Sequence, residues 1–399
     1  MESRTASYLR ARFREYYLTA SMDAPPGIES REWGFIFYDA PGMRRHRSFS
    51  SRKELVDYIR NTVPAHVYHS AAYYLKPDAP TMKEKIWRGA DLIFDLDADH
   101  LSEYRDSGRR DYGEMLERVK RETMKLLEFL LNDFGFDEER ISVVFSGGRG
   151  YHIHVRDPSI MKLRSDARRE IVDYLTGRGL DPERFIHKID VDGDAGVERA
   201  RSLRGPASGA AGWGGRINKA IESMVMHLRE LDDEEALSLL KNVKGIGSQK
   251  ARLFLSQIRE ENAIKSIRAG NLDFFKYASG IWKLIIPYIM EESVRALSGE
   301  TDEPVTADVH RLIRFPESLH GGTGLRVTKL SIDSLRAFDP LRDAVVFGED
   351  PVSVEILRPT SIELVGERFD LNEGRAELPA YAAIFLMARG FAEMGAAPR

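Results

Sequence analysis

Apolar and polar positions recur along this chain at two spacings, one helical and one strand-like, and the changes between them lay out its elements. Thr5 to Met22 has helical spacing, with aromatic residues at Tyr8, Phe13, Tyr16 and Tyr17. Strand-like runs follow at Trp33–Tyr38 and Val67–Leu75, separated by a helix that starts near Ser51. Ala90–Leu96 is an apolar strand that ends in a cluster of acids. Glu114–Phe134 is the clearest amphipathic helix, with Leu116, Val119, Met124, Leu127 and Phe129 to Leu131 on or near one stripe. Ile141–Phe145 and Tyr151–Val155 read as partner strands, and Ala167–Thr176 as a helix. Composition shifts at the Gly/Ala-rich run Gly205–Gly215, and from Arg216 to about Ser298 nearly every position reads as helix. Short strands return at Arg326–Lys329, Ala344–Phe347 and Val352–Leu357, then a hairpin-like Ser361–Leu371 and an apolar helix at Ala380–Glu393. The pattern predicts an α/β (α+β) domain in two parts, 1–215 and 301–399, around a helical insert at 216–300.

Composition narrows the chemistry. At 399 residues, 42% hydrophobic and 31% charged, the chain is an ordinary globular protein that can bury a sizeable core. No apolar run approaches the ~20 residues that span a bilayer, and no signal-like h-region opens the chain, so no membrane role is expected and the location expected is cytoplasmic. Cysteine is absent, which excludes disulfides, thiolate metal sites, iron–sulfur ligation and a thiol nucleophile. Carboxylates and histidines remain as ligands and favour hard cations such as Mg²⁺ or Mn²⁺. The net charge of −4 gives no global attraction to nucleic acid, so any polyanion must meet a local patch. Arg164, Arg168, Arg169, Arg199, Arg201 and Arg204 make one such stretch, readable equally as a solvated face.

Three segments carry candidate chemistry. In Asp95-Leu96-Asp97, strand alternation puts both carboxylates on one face, where they repel unless a divalent cation lies between them. The plain alternative is a polar strand end opening a solvated loop. Ser146-Gly147-Gly148-Arg149-Gly150 joins two strands. Its glycines let backbone N–H groups converge on an anion, Ser146 and Arg149 suit phosphate, and His152 is the nearer of two histidines on one face of the next strand. No Gly-Lys-Ser/Thr follows, so this is no P-loop, and a long hairpin turn uses glycine equally well. Val305 to Leu325 supplies a third carboxylate, Asp308, with Arg311, Arg314, Ser318 and His320 close behind.

These segments resemble, in order, those of the small catalytic subunit of the archaeal and eukaryotic DNA primases. LIFDLDADH at 92–100, VFSGGRGYHIHV at 144–155 and VTADVHRLIRFPESLHGGTGL at 305–325 carry the likeness. DARREIVDYLTG at 166–177 and AFDPLRDAVVFGEDPV at 337–352 extend it to about residues 30–395. The resemblance implies the archaeo-eukaryotic primase fold with a mixed, twisted sheet. It implies metal ligation by Asp95, Asp97 and Asp308, and nucleotide-phosphate contacts from Ser146, Arg149, His152, Arg314, Ser318 and His320. It also implies synthesis of short RNA primers, with DNA primers left open, from NTPs or dNTPs on a single-stranded DNA template, in a heterodimer with a large iron–sulfur subunit. A repair-type primase–polymerase would share the same site, and a DNA-binding subunit with a vestigial site is the reading from outside the enzymes.

One departure stands out. Relatives usually carry a Cys/His zinc element after the D-x-D strand, whereas LSEYRDSGRRDYGEM at 101–115 has no cysteine, so no structural zinc is expected. Separately, Val243 to Ala251 matches a helix–hairpin–helix pattern, in which Lys244, Gly245, Gly247 and Lys250 would meet a DNA phosphate. A plain turn between two packed helices has the same pattern.

Overall fold

The structure is a computed structural model that describes residues 3–98, 112–191, 200–272, 279–297 and 303–395. Most of the interval expected to have lost a zinc element therefore lies outside the described residues, as does Arg199. The chain divides into two compact units, one of Met1–Met124, Phe136–Val172 and Glu300–Arg399, the other of Lys125–Gly135 and Asp173–Gly299.

The first unit contains two four-stranded sheets. One has the spatial order Leu312–Arg314, His66–Ser70, Trp33–Ile36, Met43–Arg47; the other Thr328–Leu330, Ile141–Phe145, Gly150–Val155, Leu92–Asp97. The α/β class is as expected, but every strand pairing among the described residues is antiparallel, where a mixed sheet was expected. The reason is the hairpin return. Leu92–Asp97 and Ile141–Phe145 run in the same direction, and Gly150–Val155 inserts between them, so each contact is antiparallel. Helices Ser3–Thr19 and Arg52–Thr62 pack with the first sheet around Phe13, Tyr17, Trp33, Phe35 and Phe315. The second helix starts where its sequence dictates: Ser51 accepts from the Glu54 amide while the Glu54 carboxylate takes the Ser50 N–H, a capping arrangement that satisfies orphan donors at both ends of the turn.

Some expectations are corrected. Ala344–Phe347 is not a strand; Pro340–Asp343 is a short helix, and the chain beyond it runs irregularly to the strand Pro351–Ile356. The C-terminal helix stops at Ala388 and Ala392–Met394 returns as a strand beside Pro351–Ile356. Arg168 leaves the basic stretch altogether. It is buried, and its guanidinium donates to the carbonyls of Leu163, Ala90 and Asp91.

The second unit is mainly helical, with helices Gly212–Glu230, Asp233–Lys241, Ser248–Ile258, Ala263–Arg268 and Ser279–Leu297 around a core that includes Ile221, Phe254 and Trp282. It takes in residues 173–215 and 125–135, which lie ahead of the expected boundary at 216. Phe129, Tyr174 and Trp213 pack their rings together, and Arg216 grips Asp133 with two hydrogen bonds of 2.9 Å. The glycine-rich run is thus a tight entry into a helix, not a domain edge.

A buried ion pair fixes where the acidic strand begins. Arg31 and Asp91 are both fully buried and meet at 2.8 Å. Arg31 also donates to the carbonyls of Pro26, Ser70 and Ala71, while Asp91 accepts from Tyr73 and Arg156. Removing one charge strands the other without water. Asp91→Ala should lower unfolding stability by roughly 3–5 kcal/mol in urea titration, the range for breaking a buried pair; a loss under about 1 kcal/mol would show that the pair does not hold the sheets.

Candidate active site

The two sheets face each other across a cleft of about 660 Å³. One wall comes from the second sheet. Asp95 and Asp97 alternate with buried Phe94 and Leu96, so their carboxylates emerge together, 16% and 29% exposed. Register pairs Asp95 with His152 and Asp97 with Gly150. The glycine turn closes the hairpin through the Ser146 N–H to Gly150 carbonyl bond of 2.9 Å, and the Ser146 hydroxyl accepts the amides of Gly148 and Gly150. Gly147 has φ of +74°, and a Cβ there would sit 2.7 Å from His320 Cβ. Thr323 donates to the Gly147 carbonyl at 2.5 Å, clamping the third segment onto the turn.

The opposite wall comes from the first sheet. Arg314 ends its short strand with its guanidinium 5.1 Å from the Tyr68 ring centre and Nη1 2.7 Å from His66 Nδ1. His320 stands edge-on to His66 at 4.9 Å. Arg311 reaches Asp95 at 3.7 Å, and Arg149 reaches Asp97 at 3.7 Å.

Charge in this cleft rests on arginine, because burial strips it from histidine. Burial first, then the Arg314 charge, push the pKa of both His66 and His152 down to about 3. His320 is driven well below its ordinary value by burial and by Arg314. The 3.5 Å contact between His152 Nε2 and Asp95 is therefore one of a neutral imidazole beside a carboxylate, not an ion pair.

Of the residues singled out in sequence, Asp95, Asp97, Ser146, Arg149, His152, Arg314 and His320 line this one cleft. Ser318 does not: it is buried, and its hydroxyl donates to the Phe315 carbonyl at 2.6 Å. Asp308 follows the short helix Glu303–Ala307, which packs on the Leu92–Asp97 strand. Its exposed carboxylate accepts the His310 amide at 2.8 Å. Among the described residues no three acidic or histidine side chains converge closely enough to hold a metal. In the helical unit, Lys244 and Lys250 are exposed, and Lys250 donates to the Gly245 carbonyl at 3.2 Å, a bond that holds the turn itself. Arg358 and Arg389 also line the cleft and belong to none of the motifs; no spacing signal marks them.

A two-walled cleft with paired carboxylates on one side and arginines on both is the arrangement of an enzyme that handles anionic, phosphate-bearing substrates. The family model described as DNA primase small subunit matches residues 94–332, and the chain belongs to that family. It is 88% identical over 395 residues to the DNA primase small subunit PriS of Methanothrix thermoacetophila, covering 99% of this chain and 100% of that protein. It is 48% identical to PriS of Methanococcoides burtonii and 44% identical to PriS of Methanocella arvoryzae, again over nearly the whole of both chains. No helix among the described residues is long and apolar enough to cross a membrane.

Two outcomes test this geometry. A Cβ on Gly150 would lie 2.0 Å from the Leu96 carbonyl oxygen and 2.9 Å from Asp97 Cα. Gly150→Ala should therefore shift the acidic strand and cost nucleotide incorporation more than tenfold, the scale expected when reacting groups move by about 1 Å; unchanged activity would refute the tight register. The second concerns pH. Because His66 titrates near 6.5 when unfolded and near 3 when folded, the unfolded chain takes up a proton that the native state refuses. Its contribution is complete above pH 6.5 and is lost progressively as pH falls toward 3. Comparing Tm from pH 7 to pH 4 should show a shallower fall for His66→Gln than for the parent chain; equal slopes would contradict it.

Proposed function

We propose that this cleft performs nucleotidyl transfer at the start of a nucleic-acid chain, making the protein the catalytic subunit of a DNA primase that lays short RNA primers, and DNA primers from dNTPs, on single-stranded DNA. The observation that carries this is the pairing of Asp95 with Asp97 on one rim of the cleft, opposite Arg314 and His320 and beside the Ser146–Gly150 turn. Family membership and full-length likeness to PriS proteins support it.

Asp95 and Asp97 are hard oxygen donors on one strand face, half-open to the cleft, which fits a divalent cation; Asp308 is the third acid of this reading. Mg²⁺ or Mn²⁺ bound there would lower the pKa of an attacking 3′-hydroxyl and neutralise the triphosphate and its leaving group. The chain's own part is positioning. Arg149 and Arg314 suit triphosphate oxygens with planar N–H edges. His152 and His320, neutral through the physiological range, supply hydrogen bonds without adding charge. The glycine turn offers amides at close approach. A large subunit with an iron–sulfur cluster belongs to this reading as the partner that the family resemblance implies; this chain, without cysteine, has no thiolate ligands for such a cluster itself.

The Asp95→Ala, Asp97→Ala double variant should keep its fold by circular dichroism yet make no product from NTPs or dNTPs on unprimed poly-pyrimidine template with Mg²⁺ or Mn²⁺. An active double variant would sink the proposal.

A further inference from the structure

The motifs do not account for all the positive charge in the cleft. Arg358 and Arg389 line it too, and both lie beyond residue 332, where the family match ends. Arg389 follows the apolar helix Ala380–Ala388, with its guanidinium carbon 4.5 Å from the centre of the Tyr112 ring, 5.2 Å from Phe385 and 5.5 Å from Phe391. Arg358 lies 4.1 Å from the Phe391 ring. Aromatic faces hold a guanidinium in place while its N–H edge stays available to an acceptor.

This cage is fastened to the site. The Tyr112 hydroxyl donates to the Gly148 carbonyl at 2.6 Å, so the ring beside Arg389 is tied to the turn that carries Arg149. Among the described residues no carboxylate forms an ion pair with Arg358 or Arg389. Burial lowers the pKa of Arg389, the Tyr112 hydroxyl beside it raises it, and Arg149 and Arg358 lower it. Two guanidinium groups held close together on aromatic rings in one cleft repel each other, and an anion between them relieves that repulsion.

We propose that Arg358 and Arg389 form a second phosphate-binding subsite of this cleft, beside the glycine turn, that holds a phosphate group of the nucleotide or of the nucleic-acid strand. The inference rests on the cleft being the nucleotidyl-transfer site and adds a substrate contact outside the three motifs.

The test uses the full chain carrying Arg358→Ala, Arg389→Ala, both together, and Arg389→Lys. Two quantities are read: KM for ATP on poly(dT) template and Kd for a fluorescent oligo(dT) across a salt series. The double variant should lose roughly tenfold in one of them, the scale of a charged hydrogen bond. A raised KM with unchanged oligo(dT) binding assigns the subsite to the nucleotide's polyphosphate. Weaker oligo(dT) binding with a flatter salt dependence assigns it to the strand's phosphodiester. Arg389→Lys, which keeps the charge, should recover part of the loss. If KM and Kd both stay within about twofold, even with a lowered Tm, the arginines only pack on aromatic rings and the subsite is refuted. Should Arg389→Ala fail to fold, Arg358→Ala at the exposed rim decides alone. Parallel measurement of the Asp95→Ala, Asp97→Ala variant separates the two levels: its survival removes the cleft reading, whereas its inactivity beside unaffected arginine variants removes only the subsite.

Discussion

The buried pair of Arg31 and Asp91 sets the frame on which the cleft depends. Asp91 immediately precedes the strand that bears Asp95 and Asp97, and Arg31 binds the carbonyls of Ser70 and Ala71 at the end of a strand in the other sheet. Arg156, just past the Gly150–Val155 strand, reaches the same Asp91 carboxylate, and Arg168 takes the Asp91 carbonyl. Two arginines on one carboxylate, and a third on the same residue's backbone carbonyl, therefore join both sheets at a single point. An apolar pair of equal volume often matches a buried ion pair in stability. Here it would remove one donor from each of the buried Ser70 and Ala71 carbonyls, a loss with a cost of its own. The pair is thus as much a device for satisfying backbone at a sheet junction as a source of attraction.

From that frame the cleft follows. The offset from Asp91 to Asp95 and Asp97 is four and six residues along one strand, an even spacing, so all three carboxylates share a face only if the strand stays regular. The polar one at the closed end is consumed by arginines, and the two at the open end emerge beside the glycine turn. On both walls the histidines are kept neutral by burial, His152 beside Asp95 and His66 across from it, and the positive charge is left to arginine, which does not lose its proton in water-accessible sites. The wall's charge therefore does not change through the physiological pH range.

How much of this was legible in the sequence depended on whether a residue's surroundings were local. Ile141–Phe145 was readable to the residue because a buried strand is a near-continuous apolar run, here broken only by Ser142. Met43–Arg47 was not, since an edge strand of sequence MRRHR carries no apolar face and is held by its neighbour's backbone. Ala344–Phe347 had strand composition but its amides and carbonyls are used elsewhere: the Ala344 carbonyl accepts from Arg326, and the Val345 N–H turns back to Arg342. Arg168 looked like one more solvated cation because its three carbonyl partners lie outside its own helix. The D-x-D strand and the glycine turn could be placed because alternation and glycine geometry are short-range properties. Ser318 could be named but not located, and its hydroxyl turned inward to Phe315. Arg358 and Arg389 were invisible for the same reason: only the fold brings the C-terminal helix to the cleft.

A chain of net charge −4 that handles polyanions must solve an electrostatic problem by placement. At physiological salt, charges on exposed surfaces are screened within about 8 Å, so the overall negative charge neither repels a distant strand strongly nor draws it in. What matters is the field inside the cleft, where low-dielectric walls reduce screening and Arg149, Arg311 and Arg314 stand close to two carboxylates. Those carboxylates offset part of the cationic charge, which keeps the site from holding any anion indiscriminately. A triphosphate accompanied by a divalent cation answers both signs at once, and a bare phosphate answers only one. On the proposed reading, selectivity for a metal-bound nucleotide would follow from that juxtaposition, before any contact with base or sugar is made.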